Sequence, residues 1–320
     1  MDRGHRNRRY TELAGWGVVA SVGLLIITQA FGWDGTRTVS IFQTLTPYAD
    51  PIVVLVAAEA IWTGRNALAA TSAAVGFGAL LLAIPMVFPP DQPDVRPGAV
   101  GFTAAAVNLL YSNPQVGAVA DDLDKLDADM IVFSEFTHEH RVTLVAHPLA
   151  NRYPHKINGD GLFAGGVALW SKFSLTEHDP IDTINGSIDA TIGGPDGAVR
   201  VLAVHPPTPI LSHDGWKREL RLIAESADDI LTPTLVIGDF NAAYWHPAFR
   251  DILRRGFTDA HMANHRGWST SWPTDEFFPP FVRLDHALAG NGLVSTDIDD
   301  FRLPGSDHAA FVVTVKPAAS

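Results

Sequence analysis

Cysteine is missing from all 320 residues, so disulfides, a thiolate nucleophile and Cys-ligated zinc are excluded together. Positive charge is scarce where a nucleic-acid binder needs it. Up to Ala99, 7 Lys/Arg face 7 Asp/Glu; from Val100 onward, 16 basic residues face 28 acidic ones, so the whole net charge of −12 lies there. A domain that grips long nucleic acid carries a basic footprint, and this one does not. Internal repeats and low-complexity segments are absent too. His138, His140, His147, His155, His261 and His265 lack zinc-type spacing in a helical context and read as surface or packing residues.

Charge is also missing from long stretches near the N-terminus. Leu13 to Trp33 carries none over 21 positions, long enough to cross a bilayer core, and Ala67 to Phe88 is likewise uncharged. Between them, Val39 to Trp62 has the length but contains Pro47, Asp50, Pro51 and Glu59. One apolar run behind Arg3, Arg6, Arg8 and Arg9 would resemble a signal peptide; two more argue against it. The expectation is three spans within residues 1–88. Four arginines precede the first span and Arg65 lies in the turn between the second and third, with Arg37 in the other turn the lone exception, so the positive-inside rule places the N-terminus in the cytoplasm and everything after Phe88 outside. Residues 89–99 read as a stiff acidic linker, opening Pro89-Pro90-Asp91-Gln92-Pro93-Asp94, and residues 100–320 as a separate domain.

That domain is organised around Thr234-Leu235-Val236-Ile237-Gly238-Asp239-Phe240-Asn241. A short apolar run bounded by Pro233 and Gly238 reads as a buried strand. It ends in an acid and an amide two positions apart, which point the same way on an extended chain. Hard oxygen ligands converging there suit a divalent cation such as Mg²⁺. Other strands are expected at Val100–Val107, Asp129–Glu135, Gly165–Ser171, Val199–Val204, Arg283–Leu288 and Ala310–Val315, with helices at Val116–Leu126 and Trp216–Leu231. Many strands with few helices between them suggest two packed sheets flanked by helices, an α/β class in the broad sense. Asn108, Glu135, His205, Asp239 and Asn241 each stand where an apolar strand ends, and Asp285 and Asp307-His308 add to the set. Turn chemistry does not account for so many polar strand ends together. Trp268, Trp272 and the run Phe277-Phe278-Pro279-Pro280-Phe281 read either as core or as an apolar lip that receives a lipid or dips into a membrane surface.

The set Asn108, Glu135, His205, Gly238-Asp239-Phe240-Asn241, Asp285 and Ser306-Asp307-His308 resembles the endonuclease/exonuclease/phosphatase superfamily, over Val100 to Val315 and in the right order. The resemblance implies a four-layered α/β sandwich with a Mg²⁺-dependent phosphohydrolase site, Mn²⁺ being the alternative ion. Three spans ahead of such a domain, with Asn108-Leu109-Leu110-Tyr111-Ser112-Asn113 and His246-Pro247-Ala248-Phe249-Arg250, resemble the bacterial membrane subgroup of teicoplanin-resistance proteins. Ser134 stands where many relatives have Gln, and His205-Pro206-Pro207 replaces a more usual Thr-His-Leu.

Carried onto this chain, the resemblance implies that Glu135, Asn108 and Asp307 hold the metal. Asp239 orients or deprotonates the attacking water and Asn241 bonds a phosphoryl oxygen. His308, paired with Asp285, is held protonated to stabilise charge on phosphorus oxygens, and His205 does likewise from the other side. The expected function is a membrane-tethered, extracytoplasmic phosphohydrolase of the bacterial cell membrane. It cleaves a phosphodiester or pyrophosphate of an envelope lipid or lipid-linked carrier, with the membrane as partner and nucleic acid disfavoured. A metal-dependent extracytoplasmic nuclease is the alternative enzyme, and a non-catalytic membrane scaffold the alternative from another class.

Overall fold

The computed structural model describes residues 3–226 and 232–319. It divides into two units: Met1–Pro85 with Trp245–Pro247, and Met86–Tyr244 with Ala248–Ser320.

The first unit holds α1 (Arg3–Ala30), α2 (Arg37–Thr44), α3 (Thr46–Trp62) and α4 (Asn66–Val87). Among the described residues, two stretches are long and apolar enough to cross a membrane, Arg8–Ala30 at mean hydropathy 1.7 and Asn66–Val87 at 2.1. The middle segment does not form the third straight span expected from sequence. It breaks at Leu45 into α2 and α3, bent by 71°, and counts as a span only if the bent pair is taken as one. The cause is local. Leu45 leaves the helical region (φ −90°, ψ 4°), and Pro47 sits in the first turn of α3, where its missing N–H costs nothing. Side chains collect at the break: Gln29 Nε2 donates to Thr46 Oγ1 at 2.6 Å, and Gln43 Nε2 to Thr28 Oγ1 at 3.2 Å. Glu59, one of the two acids in the segment, accepts two bonds from Arg65 Nη1 at 2.7 and 2.9 Å, so its charge is paired.

The second unit runs β1 (Phe102–Asn108), α5 (Val116–Leu126), β2 (Met130–Ser134), α6 (His138–Ala146), β3 (His155–Asp160), β4 (Gly166–Ser171), β5 (Leu175–His178), β6 (Ser187–Gly194), β7 (Gly197–Val204), α7 (His213–Glu225), β8 (Thr234–Asp239), α8 (Pro247–Arg254), β9 (Thr258–Asp259), α9 (Ala260–Ala263), β10 (Asp285–Gly290), β11 (Leu293–Arg302) and β12 (Ala309–Pro317). The expected helix over Trp216–Leu231 is α7, which begins three residues earlier; residues 227–231 lie outside the described residues. Gln92 is already tied to this unit through Ser295, and Arg96 through the carbonyl of Pro317.

Two six-stranded mixed sheets form, β11-β12-β1-β2-β4-β3 and β5-β6-β7-β8-β10-β9. Strand alternation sorts their side chains into layers. Ala104 and Ala106 of β1, Met130 and Val132 of β2, and Leu235 and Ile237 of β8 fill the space between the sheets. Ala105, Val107, Ile131 and Phe133 face α5 and its neighbours, and Val236 with Leu202 faces Trp216 and Leu220 of α7. Both faces of these central strands are buried, which is why they read as unbroken apolar runs. Helix, sheet, sheet and helix stack in that order.

Register delivers the polar strand ends to one rim. The parallel pair β1/β2 aligns Asn108 with Ser134, so Asn108 and Glu135 emerge side by side. The parallel pair β7/β8 aligns Val204 with Gly238, bringing His205 beside Asp239, and antiparallel β10 sets Asp285 opposite Asp239. Gly238 is required here. Its φ is 143°, and an added Cβ would meet the Val204 carbonyl oxygen at 2.2 Å.

Glu219 of α7 is buried, with Oε1 accepting from the Ile184 N–H at 2.8 Å and Oε2 left without a partner. Burial pushes its carboxyl up to about 7. From its ordinary value up to about 7 the folded chain keeps a proton that the unfolded chain releases, so stability falls as pH rises through that window. Glu219→Gln is therefore expected to raise Tm at pH 8 by roughly 2–4 °C and to change it little at pH 4. Thermal unfolding of the detergent-solubilised chain at the two pH values checks this, and an equal shift at both would refute the titration.

Candidate active site

Asn108 sits at the centre of the rim. Its Nδ2 donates to Asp239 Oδ2 at 3.0 Å and to Glu135 Oε1 at 3.2 Å, while its Oδ1 accepts from the Leu110 N–H. Glu135 Oε2 accepts from the Tyr111 N–H at 2.8 Å. Burial raises the Glu135 carboxyl, these two donors work against the rise, and the charge of Asp307 adds to it. Glu135 and Asn241 hold φ values of 55° and 48°, a conformation that costs a non-glycine residue about 1–3 kcal/mol. Backbone strain therefore falls on two of the residues singled out from sequence.

Asp239, Asp285 and His308 form the buried half of the site. His308 Nδ1 lies 2.8 Å from Asp285 Oδ2, and its Nε2 lies 3.8 Å from Asp239 Oδ2. Burial opposes charge on the ring, but the Asp285 and Asp239 carboxylates outweigh it and push His308 up to about 10. His308 is an imidazolium at neutral pH. Asp285 is held below the usual carboxylate range because that cation outweighs the burial of its own charge. Asp239 goes the other way, up to about 7, through burial and the charge of Asp285. Two facing carboxylates driven apart in this manner mark an acid–base pairing.

His205 departs from expectation. Its Nε2 is 3.7 Å from Asp239 Oδ2, but burial, reinforced by the nearby imidazolium, pushes it down to about 3. It is neutral, and contributes an N–H or a lone pair rather than a positive charge. Asn241 is fixed twice: its N–H donates to Asp239 Oδ1 at 2.8 Å and its Nδ2 to the Pro206 carbonyl at 2.9 Å. Asp307 receives Trp272 Nε1–H on Oδ2 at 3.1 Å, while its Oδ1 is buried with no hydrogen-bond partner.

All eight residues picked from sequence thus meet at one rim. Others around them had been given no role from sequence. Ser271 Oγ accepts from the Leu284 N–H at 3.0 Å and, at a longer 3.4 Å, from that of Asp285; Arg283 Nη1 donates to the Asp285 carbonyl at 3.3 Å, and the two groups anchor the start of β10. Ser306 Oγ donates to the Asn108 carbonyl at 2.7 Å and accepts from the His308 N–H. Trp272 was read only as core or lip, and its bond to Asp307 had no sequence signal. His261, read as surface or packing, is buried with Nε2 3.0 Å from Asp300 Oδ1.

Two groups are candidates for a divalent cation. Asp239, Asp285 and His308 each offer a ligand atom within 4.8 Å of one another. An imidazolium has no free lone pair, however, so a cation there must first displace a proton from a ring the two carboxylates hold charged. Glu135 and Asp307 offer harder ligands: Asp307 Oδ1 lacks a partner and the two carboxylates repel, beside Asn108, which turns its NH₂ to Glu135 and its Oδ1 to the Leu110 N–H.

Residues 105–308 match the model of the endonuclease/exonuclease/phosphatase family. The chain belongs to this family. Exo/endonuclease/phosphatase proteins are hydrolytic, divalent-metal-dependent phosphoesterases. Solved structures share the fold at low identity. An endonuclease/exonuclease/phosphatase from Beutenbergia cavernae is 16% identical with a TM-score of 0.52, covering 68% of this chain and 72% of that one. An AP endonuclease from Archaeoglobus fulgidus is 18% identical (TM-score 0.53; 66% and 98% covered). TDP2 from D. rerio, complexed with a single-strand DNA product, is 12% identical (0.55; 68% and 99%). No curated protein matches the chain.

Proposed function

We propose that this family member is a membrane-tethered, extracytoplasmic, Mg²⁺-dependent phosphohydrolase that cleaves a phosphodiester or pyrophosphate bond in a cell-envelope lipid or lipid-linked carrier. The observation that carries the reading is the pairing of Asp239, poised near neutrality, with an imidazolium at His308 fixed by Asp285. The pair stands on a chain with two helices apolar enough to span a bilayer. The acidic balance after Val100 weighs against a nucleic-acid substrate, although the AP endonuclease and the DNA-bound TDP2 share the fold.

The residues divide the work. Asp239 accepts a proton from water as the water oxygen bonds to phosphorus and the P–O bond on the far side breaks. His308 donates a charge-assisted hydrogen bond to the phosphoryl oxygens, where negative charge grows. Asn241 Nδ2 has a second hydrogen free for the same oxygens, and His205 offers a neutral contact. Glu135, Asn108 and Asp307 would hold Mg²⁺, which supplies charge neutralisation and a more acidic bound water.

Side-by-side assays of the purified full chain on polyprenyl pyrophosphate, phospholipid and DNA, with Mg²⁺ and then EDTA, test the reading. Chelator-sensitive release from a lipid supports it; cleavage of DNA alone sinks it in favour of the nuclease. Glu135→Gln keeps the shape and removes the charge. It is expected to raise the Mg²⁺ concentration needed for half-maximal rate by about 10- to 100-fold. An unchanged Mg²⁺ titration would remove Glu135 from the metal set.

A further inference from the structure

Four loops ring the site, and each carries a large apolar side chain into solvent. Leu162 and Phe163, between β3 and β4, are 84% and 79% exposed; Leu211 is 79% and Phe277 97% exposed, and Ile184 and Ile210 are exposed as well. Three of the loops are rooted on a site residue or its neighbour, and the fourth is joined to one of these. The Gly161 N–H donates at 2.9 Å to the carbonyl of Phe136, which follows Glu135 directly. Ile210 and Leu211 end the short run that leaves His205. The Gly166 N–H donates to Asn185 at 2.7 Å, joining the Ile184 loop to the first. Thr274, three residues before Phe277, donates its N–H to the Asp307 carbonyl and its hydroxyl to that of Ser306. Scattered exposed apolar residues are ordinary, but here they crown the ends of loops around one catalytic rim.

We infer that this rim is a membrane-docking surface, seating the mouth of the site on the apolar boundary of a lipid bilayer. Charge selects this occupant. The segments 161–165, 182–186, 206–212 and 274–281 contain no Lys or Arg and carry Asp182, Asp275 and Glu276. A polyanion or an anionic head-group layer would want cations there, whereas the hydrocarbon boundary wants what the loops supply. The chain itself brings a bilayer within reach, since two of its described helices are long and apolar enough to cross one. The surface deepens the lipid reading of the site and rests on it: a substrate whose phosphate lies at the interface would be reached without leaving the bilayer.

The cysteine-free chain makes the test direct. Phe163→Cys, Leu211→Cys and Phe277→Cys are labelled singly with an environment-sensitive fluorophore. Lys125→Cys, at the opposite end of the sheet where β2 begins, is the control. The full chain is reconstituted in phosphatidylcholine vesicles with and without spin-labelled lipid. The expected result is a blue shift and quenching at 163, 211 and 277 and neither at 125. Water-like emission at all three rim sites, or equal quenching at 125, would overturn the surface.

Turnover separates this surface from the function it rests on. With Leu162, Phe163, Leu211 and Phe277 all changed to Ser, kcat/KM on a vesicle-borne lipid should fall about tenfold, and hydrolysis of bis(p-nitrophenyl) phosphate should hold. Quenching at the rim without any lipid turnover upholds the surface and refutes the lipid hydrolase. Hydrolysis of detergent-dispersed lipid with the rim labels in water does the reverse.

Discussion

Asp239→Asn is expected to lower kcat by about 10²- to 10⁴-fold, the range over which a positioned base contributes. The amide matches the carboxylate in size but cannot take a proton from water. One contact survives and one does not. The Asn241 N–H can still donate to an oxygen at the Oδ1 position, whereas the Asn108 amide, now 3.0 Å from Oδ2, would face a second NH₂ group. Against that loss stands a gain, because the substitution removes a buried carboxylate raised by burial and by repulsion from Asp285. Tm should therefore move by only a few degrees while activity collapses. The wild-type profile supplies the sign. Asp239 must be ionised to act, so the rate should fall as pH drops through about 7, and the small residual rate of the variant should lack that acid limb. Initial rates from pH 5 to 9, with thermal unfolding alongside, decide it. A variant keeping wild-type kcat would mean that the water is activated elsewhere.

The strands that were legible in the sequence are those with both faces covered. β1, β2, β4, β7 and β8 are interior strands whose alternate residues enter two cores, so their apolar runs are unbroken. All four edge strands escaped notice: β3 and β11 in one sheet, β5 and β9 in the other. β3 is His-Lys-Ile-Asn-Gly-Asp with no buried residue, and β11 carries Asp297 and Asp299 on a face that is not covered. Edge strands are kept polar because unpaired ladder groups recruit other chains, and the same polarity hides them from a search for apolar runs. The site was legible for the complementary reason: each residue stands at one end of a covered strand, and register brings those ends together. Ser271, Trp272 and Arg283 belong to an irregular stretch whose path is set by contacts with β10 and Asp307, which no local pattern encodes. The neutrality of His205 was hidden as well, since it depends on complete burial beside another residue's positive charge. In the membrane segment, Pro47 and the acids marked in sequence where a bend could fall, but not its 71° size.

Asp285→Asn carries the second large effect, and its signature is a displaced pH limb rather than a simple loss. Asp285 holds a proton on His308 through a 2.8 Å contact and a charge that outweighs burial, which puts the ring up to about 10. An asparagine retains an oxygen that can accept from Nδ1 but not the charge. Burial then acts with little opposition beyond Asp239, and the ring titrates well below its present value. At pH 8 the wild-type enzyme presents an imidazolium to the phosphoryl oxygens and the variant a neutral imidazole, so kcat should fall by about 10²- to 10³-fold, the scale of one lost transition-state donor. The alkaline limb, expected near pH 10 in the wild type, should move to lower pH. Stability gives an independent reading of the same group. A histidine raised in the folded state stabilises the fold fully below its unfolded value of about 6.5, and that contribution is lost as pH climbs through about 10. The difference in stability between wild type and Asp285→Asn should thus be largest just below about pH 6.5 and shrink steadily towards pH 10. A fall in kcat with the alkaline limb unmoved would make Asp285 a packing residue, and His308 would need another source for its charge.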